Sequence, residues 1–293
     1  MPGAEPPAPV VPEEKKGGRL YLVATPIGNL EDISPRALRV LKEAAAVAAE
    51  DTRTTRRLLA RFGLDTPLIS YHDHSPPARR RELLSRLRGG EDLALVSEAG
   101  TPGFSDPGFR LVRAAVENGI DVVPVPGPSA LMSALPASGL PGNRFAFEGF
   151  LPARRAARRK RLYRLANEER TLVFFESPRR VRAFLEDARE ILGDRPAVLA
   201  REMTKRFEEF VRGSISDLLA RVPEGGPRGE VVLILGGRGG EPAPGSPDPA
   251  GEVASLVKTM NISRMEAIKL VAARRRAPKG EIYRAVHGTG ADR

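Results

Sequence analysis

From Arg19 onward, short continuous apolar runs alternate with amphipathic stretches, and this alternation restricts the fold more than any other feature of the 293-residue chain. Residues 20–25, 47–49, 68–71, 93–97 and 122–125 have strand length, and helical spacing fills 35–46, 53–62, 78–87 and 107–118 between them. Strands that stay apolar without alternating are covered on both sides, which predicts a mainly parallel sheet with helices on its faces. Pro, Gly, Ser and Asn gather over 136–143 and mark a domain boundary. A second α/β set follows, with strands expected at 144–147, 171–175, 197–201, 207–213 and 230–235, and helices at 154–166, 178–192 and 216–221. The expected organisation is therefore a disordered tail over 1–18, α/β domains over 19–138 and 143–237, a Gly/Pro linker over 238–252, and a small basic helical accessory domain over 253–293.

Composition narrows the chemistry. The chain has no cysteine and three histidines, so disulfides, thiolate nucleophiles, Fe–S clusters and Cys-based zinc sites are excluded. His72-Asp73-His74 reads as a polar loop rather than a metal centre. No apolar run approaches the ~18 residues of a membrane span, and the first residues hold no apolar targeting core, so a soluble cytoplasmic protein is expected. Neither a dinucleotide fingerprint nor a P-loop occurs.

The net charge is +10, and it is clustered. Residues 143–165 hold eight basic side chains against Glu148, and 253–293 hold nine against three acids, leaving a slight acidic excess elsewhere. Basic tracts on a near-neutral body point to a polyanion such as nucleic acid, because neutralising phosphates releases counterions. The expected contacts are Arg154, Arg155, Arg158, Arg159, Lys160 and Arg161 on the first helix, with Arg274, Arg275 and Arg276 in the tail.

Three small-residue, Pro-stiffened loops end strands of the first domain, where open α/β sheets bind ligands. They are Thr25-Pro26-Ile27-Gly28-Asn29-Leu30, residues 97–108 (SEAGTPGFSDPG) and residues 124–130 (PVPGPSA). Together with LYLVATPIGNL (20–30), AEDTR (49–53), VPVPGPSA (123–130), EGFLP (148–152) and AREMTK (200–205), in that order, SEAGTPGFSDPG resembles the tetrapyrrole-methylase-like (class III) methyltransferases. Within that superfamily the blocks resemble the branch that methylates a cytidine ribose 2′-oxygen in 16S rRNA of the small ribosomal subunit. The resemblance covers about residues 19–237. One departure is Glu98, where the family block carries Asp; it adds a methylene and keeps the charge.

The resemblance implies S-adenosylmethionine bound in a cleft between two α/β domains, and a homodimer. Carried over, the cofactor residues are Pro26, Ala99, Gly100, Thr101, Asp106, Ser129 and Ala130 from the first domain, and Leu151, Met203, Thr204 and Glu230 from the second. Asp106 is also expected to cap its helix, and Met203 can equally be core packing. A neutral ribose hydroxyl is a poor nucleophile, so a general base is expected, with Glu50 and Glu176 as the candidates. Two alternatives remain at this point: a corrinoid or sirohaem precursor methylase on the same scaffold, and a non-catalytic RNA-binding assembly factor.

Overall fold

The first two βα turns of the first unit close on chemistry visible in the chain. Ser34 caps α1 (Pro35–Glu43) by accepting the Ala37 N–H, with Pro35 at the first helical position. Asp51 caps α2 (Thr52–Arg61) by accepting the Arg53 N–H at 2.8 Å. A computed structural model describes residues 17–103, 108–239 and 248–288. It divides into two compact units, one containing the chain to Pro26 and Leu30–Pro128, the other Ile27–Asn29 and the chain from Ser129.

The first unit is a sheet of β1 (Leu20–Val23), β2 (Ala46–Ala49), β3 (Leu68–Ser70), β4 (Leu93–Val96) and β5 (Val122–Val125), in the order β3-β2-β4-β1-β5. Every pairing is parallel, as the non-alternating apolar runs predict. On one face Val23, Val47 and Val96 pack with Val40, Leu41 and Leu59 of α1 and α2. On the other, Leu20, Leu93 and Leu95 pack with Leu83 and Leu87 of α3 (Pro77–Arg88) and Leu111 of α4 (Gly108–Glu117). Gly18, assigned to the tail by the sequence, donates its N–H to the Leu87 carbonyl at 2.8 Å. The expected tail over 1–16 lies outside the described residues.

The second unit is a mixed sheet, β6 (Phe145–Phe150), β7 (Thr171–Glu176), β10 (Val231–Leu235), β8 (Pro196–Arg201) and β9 (Glu209–Ser214), in that order. β6 and β7 run parallel and the other pairs antiparallel. Side chains alternate between two cores, as strand geometry requires. Leu172, Phe174, Leu233 and Leu235 join the helical side, whereas Val173, Val232 and Ile234 pack with Ile27 and with Leu131 and Leu135 of α5 (Ala130–Ser138).

Three expectations change. The second unit begins at Ser129 rather than after 138, so Ser129 and Ala130 belong to it. Pro136 lies inside α5, and the helix runs on to Ser138, whose hydroxyl donates to Leu135 O at 2.7 Å before Gly139 turns left-handed at φ 78°. The tail is not a separate domain. Its α9 (Pro249–Met260) starts within the predicted linker, most of which lies outside the described residues. Val253, Leu256, Met260, Ile268 and Val271, from α9 and α10 (Arg264–Arg275), and Ile282 of α11 (Lys279–His287) share one core with Leu162, Phe174 and Phe184. Among the described residues no helix is long and apolar enough to cross a membrane.

Candidate functional site

At the C-terminal ends of β1, β4 and β5 the first unit's loops are laced together by backbone bonds. Thr25 N–H donates to Gly100 O at 2.9 Å and Gly100 N–H returns to Thr25 O at 3.0 Å. The Thr101 hydroxyl donates to Pro128 O at 3.0 Å, joining the second loop to the third. Gly100 holds φ 81°, which only glycine adopts freely, and a Cβ on Gly127 would stand 3.0 Å from the Ala24 Cβ. These contacts fix Pro26, Ala99, Gly100 and Thr101 on one edge of one sheet.

The same edge holds a buried polar atom in want of a partner. The Thr25 hydroxyl oxygen makes no hydrogen bond among the described residues. Orphaned groups of this kind call for a ligand or water. An exposed Ala99, backbone carbonyls and a single unmet hydroxyl suit a flat, polar-edged adenosyl group, so these residues fit the cofactor expected from the sequence. Thr25 was missed as a site residue; its signal was a hydroxyl at a strand end directly before Pro26. Asp106 and the cap expected of it lie outside the described residues.

In the second unit, the 202–205 loop is strained and tied down. Glu202 and Thr204 hold φ 50° and 64°, a conformation costly for a β-branched residue. Thr204 keeps it by accepting the Asn29 N–H on its hydroxyl at 3.1 Å and donating its own N–H to Glu208 at 2.7 Å. Lys205 reaches Glu202 at 3.1 Å and Glu230 at 3.3 Å, so the exposed Glu230 is already salt-bridged. Met203 is buried with Val198, Ala200 and Ile27. Ser129 caps α5, accepting the Met132 N–H on its hydroxyl.

The two candidate bases differ sharply. Glu50, half-buried, follows β2 immediately before the Asp51 cap. The Glu176 side chain has no exposure, and both its oxygens are engaged, one by the Ser177 N–H at 2.8 Å and one by Arg180 at 3.1 Å. Burial pushes the Glu176 carboxyl up, against the pull of Ser177 and Arg180. Arg180 also donates to the Leu151 carbonyl at 2.6 Å, and Leu151 is itself buried. Glu176 is therefore corrected from candidate base to structural anchor: it has no oxygen open to a substrate hydroxyl, and it holds Arg180 against the turn after β6.

The basic helix α6 (Arg155–Arg164) also requires correction. Arg158 and Arg159 are 4% and 5% exposed, and both clasp Asp187 of α7 (Val181–Leu192). Burial alone would raise the Asp187 carboxyl, but hydrogen bonds from Arg158, Arg159 and Arg155 hold it below the usual carboxylate range. Arg159 further pairs with Glu190, Lys160 with Glu266, and Arg161 with Glu148 at 2.7 Å. In the tail, Arg274 and Arg275 both close on the buried Glu252, at 2.9 and 2.8 Å. Arg276 pairs with Glu169 at 2.7 Å. Arg158 and Arg159 are thus core ion pairs, and Arg274 and Arg275 half-buried ones, rather than phosphate contacts, since their charge is held by the buried carboxylates of Asp187 and Glu252. Arg154 and Arg155 stay exposed. No group of three or more His, Asp or Glu side chains that could hold a metal ion occurs among the described residues.

Residues 19–219 match the tetrapyrrole (corrin/porphyrin) methylases, which defines the class of the chain. Similarity to solved structures agrees on the fold: a Thermus thermophilus uroporphyrin-III C-methyl transferase complexed with S-adenyl homocysteine superposes with a TM-score of 0.52 at 24% identity, over 75% of this chain and 97% of that one. Sequence relatives are much nearer. The ribosomal RNA small subunit methyltransferase I of Pseudomonas aeruginosa is 54% identical over 75% of this chain and 79% of its own length. That of Xylella fastidiosa is 48% identical over 91% of this chain and 98% of its own. The chain belongs to this ribosomal RNA small subunit methyltransferase I family.

Proposed function

We propose that the protein transfers a methyl group from S-adenosylmethionine to the ribose 2′-oxygen of a cytidine in 16S rRNA of the small ribosomal subunit, working as a homodimer in the cytoplasm. One observation carries the reading: relatives bearing the small-subunit rRNA methyltransferase name match this chain at 48% identity over 91% of its length. When bound, S-adenosylmethionine supplies an electrophilic methyl on a sulfonium centre. Pro26, Ala99, Gly100 and Thr101, on the laced loop edge, hold the cofactor with Thr25 satisfying its orphaned hydroxyl there. Ser129, Ala130, Leu151, Met203, Thr204 and Glu230 of the second unit, together with Asp106, complete the proposed contacts. Alignment of the reacting atoms supplies much of the rate, and the Glu50 carboxylate accepts the 2′-hydroxyl proton. Of the expected phosphate contacts, Arg154, Arg155, Lys160, Arg161 and Arg276 keep at least partial exposure and take phosphates.

The test uses purified protein, methyl-labelled S-adenosylmethionine, and either unmodified small subunits or naked 16S rRNA. Digestion to nucleosides and mass spectrometry should find 2′-O-methylcytidine. Label on a base would keep the RNA and overturn the chemistry, and no transfer with cofactor still bound would redirect the reading to tetrapyrrole substrates. Glu50→Gln should lower turnover with cofactor affinity unchanged. Sedimentation of the purified chain should give the mass of two copies.

A further inference from the structure

Four arginines on other helices of this molecule face an acid one turn away. Arg39 of α1 pairs with Glu43, Arg79 of α3 with Glu82, Arg113 of α4 with Glu117, and Arg182 of α7 with Glu186. Arg158, Arg159, Lys160 and Arg161 of α6 find their acids on neighbouring elements instead. Helix α2 departs from both patterns. Its sequence, TRTTRRLLAR, contains no acid, and Arg53, Arg56, Arg57 and Arg61 are all exposed. The spacing i, i+3, i+4, i+8 sets them on one face, opposite the buried Thr55 and Leu59. Arg53 touches Asp51 at 3.5 Å, and Arg56, Arg57 and Arg61 make no ion pair among the described residues.

Like charges at i and i+4 destabilise a helix, and Arg53–Arg57–Arg61 stacks three of them in a row. One glutamate would relieve the stack, as Glu43 does for Arg39 in α1. The stripe also starts at the C-terminal edge of the parallel sheet, directly after Glu50 and Asp51, and runs about 12 Å down the helix at about 1.5 Å per residue. A planar guanidinium fork suits phosphate oxygens, and a line of them suits a continuous phosphate backbone.

From this we infer that the α2 face Arg53–Arg56–Arg57–Arg61 is an RNA-backbone docking surface, leading a strand of the substrate toward Glu50. The inference rests on the rRNA reading above and adds a surface outside both basic segments. The α2 arginines hold phosphates and set position; sequence discrimination lies elsewhere.

The experiment measures the affinity of the full chain for naked 16S rRNA across a range of salt concentrations, for wild type, R57E/R61E, R57Q/R61Q and R39E. The R39E control reverses an exposed, already paired arginine on the adjacent helix. For two lost phosphate contacts at about 0.7 each on single strands, R57E/R61E should lower the magnitude of the log K against log salt slope by about 1.4. R57Q/R61Q should lower it by a similar amount, R39E should leave it unchanged, and calorimetric affinity for S-adenosylmethionine should be equal in all four. An unaltered slope in both double variants, with wild type binding RNA, would overturn the docking surface and leave the rRNA reading intact. An equal loss in R39E would overturn it as well, as an effect of bulk charge. A wild type that neither binds nor methylates 16S rRNA would instead bring down the rRNA reading, and this inference with it.

Discussion

Helices α2 and α6 are both ten residues long and arginine-rich, yet the structure uses their charge in opposite ways. In α6, Arg158 and Arg159 turn inward to a carboxylate on α7 that is 1% exposed, and the helix is bolted to its neighbour by charge. In α2 the apolar side is inward, and the cations stand in solvent with no acid on the helix. The count of arginines is therefore a poor guide to free positive charge. Distance to an acid in three dimensions decides it, and that distance is not written in the local sequence.

The largest expected effect tests the buried half of this contrast. Asp187→Asn strips Arg158 and Arg159 of their shared acid and should cost about 3–5 kcal/mol in urea unfolding at neutral pH. Because the folded-state pKa of Asp187 is depressed, its contribution is fully present above the ordinary aspartate value of about 3.9. It is lost as pH falls through the lower folded value, so the gap between wild type and variant should close in acid below about pH 3.9. A gap that stays constant down to pH 2 would contradict the pairing. Next in size, Arg180→Ala leaves the Leu151 carbonyl and one oxygen of the buried Glu176 without their donor and should cost about 1–3 kcal/mol in the same assay.

The exposed half should respond with the opposite sign. Arg57→Glu gives Arg53 and Arg61 an acid one turn away on either side, and should stabilise the fold by about 0.5 kcal/mol, read from the denaturant midpoint. Arg159→Glu on α6 would instead set an acid beside Asp187 and Glu190 and destabilise strongly. If both substitutions moved stability the same way, the contrast between the helices would fail. The smallest effect is away from either helix: Asn261→Gly, at the φ 50° C-cap of α9, should stabilise the fold by about a few tenths of a kcal/mol, read as a slightly higher melting temperature.

Much of the first unit was legible because its signals are local. Val122–Val125 matches the expected strand, and β2, β3 and β4 fall within a residue of theirs, since a run apolar on both faces has few other places to go. Signals that depend on distant partners were lost. The local pattern predicts a strand ending at Phe147, but β6 continues to Phe150 through a register shift, with Gly149 at φ 59° absorbing the irregularity. Pro136 reads as a helix end in any local scheme, and only the packing of α5 on Val173 and Val232 carries the helix past it. The apolar spacing of the tail was visible, but not that Leu162 and Phe184 were waiting for it. The site shows the same division. The loops came from their small residues and prolines, whereas the burial of Glu176 goes with an Arg180 that also reaches Leu151, 29 residues back, a contact no spacing rule connects. The α2 arginines were hidden by averaging, because a slight acidic excess over the remainder of the chain concealed a local stripe.

The shared core of the second unit carries a consequence for the order of events during synthesis. Leu162 and Tyr163 on α6 pack with Leu256, Ile268 and Val271, and Asn167 bonds to Ala273, 106 residues further along. At about 5–20 residues per second, α6 leaves the ribosome roughly 5–20 seconds before the helices that cover it. For that interval an apolar helix flank stands open, and the nascent chain has to be kept from aggregating until α9, α10 and α11 arrive to close it.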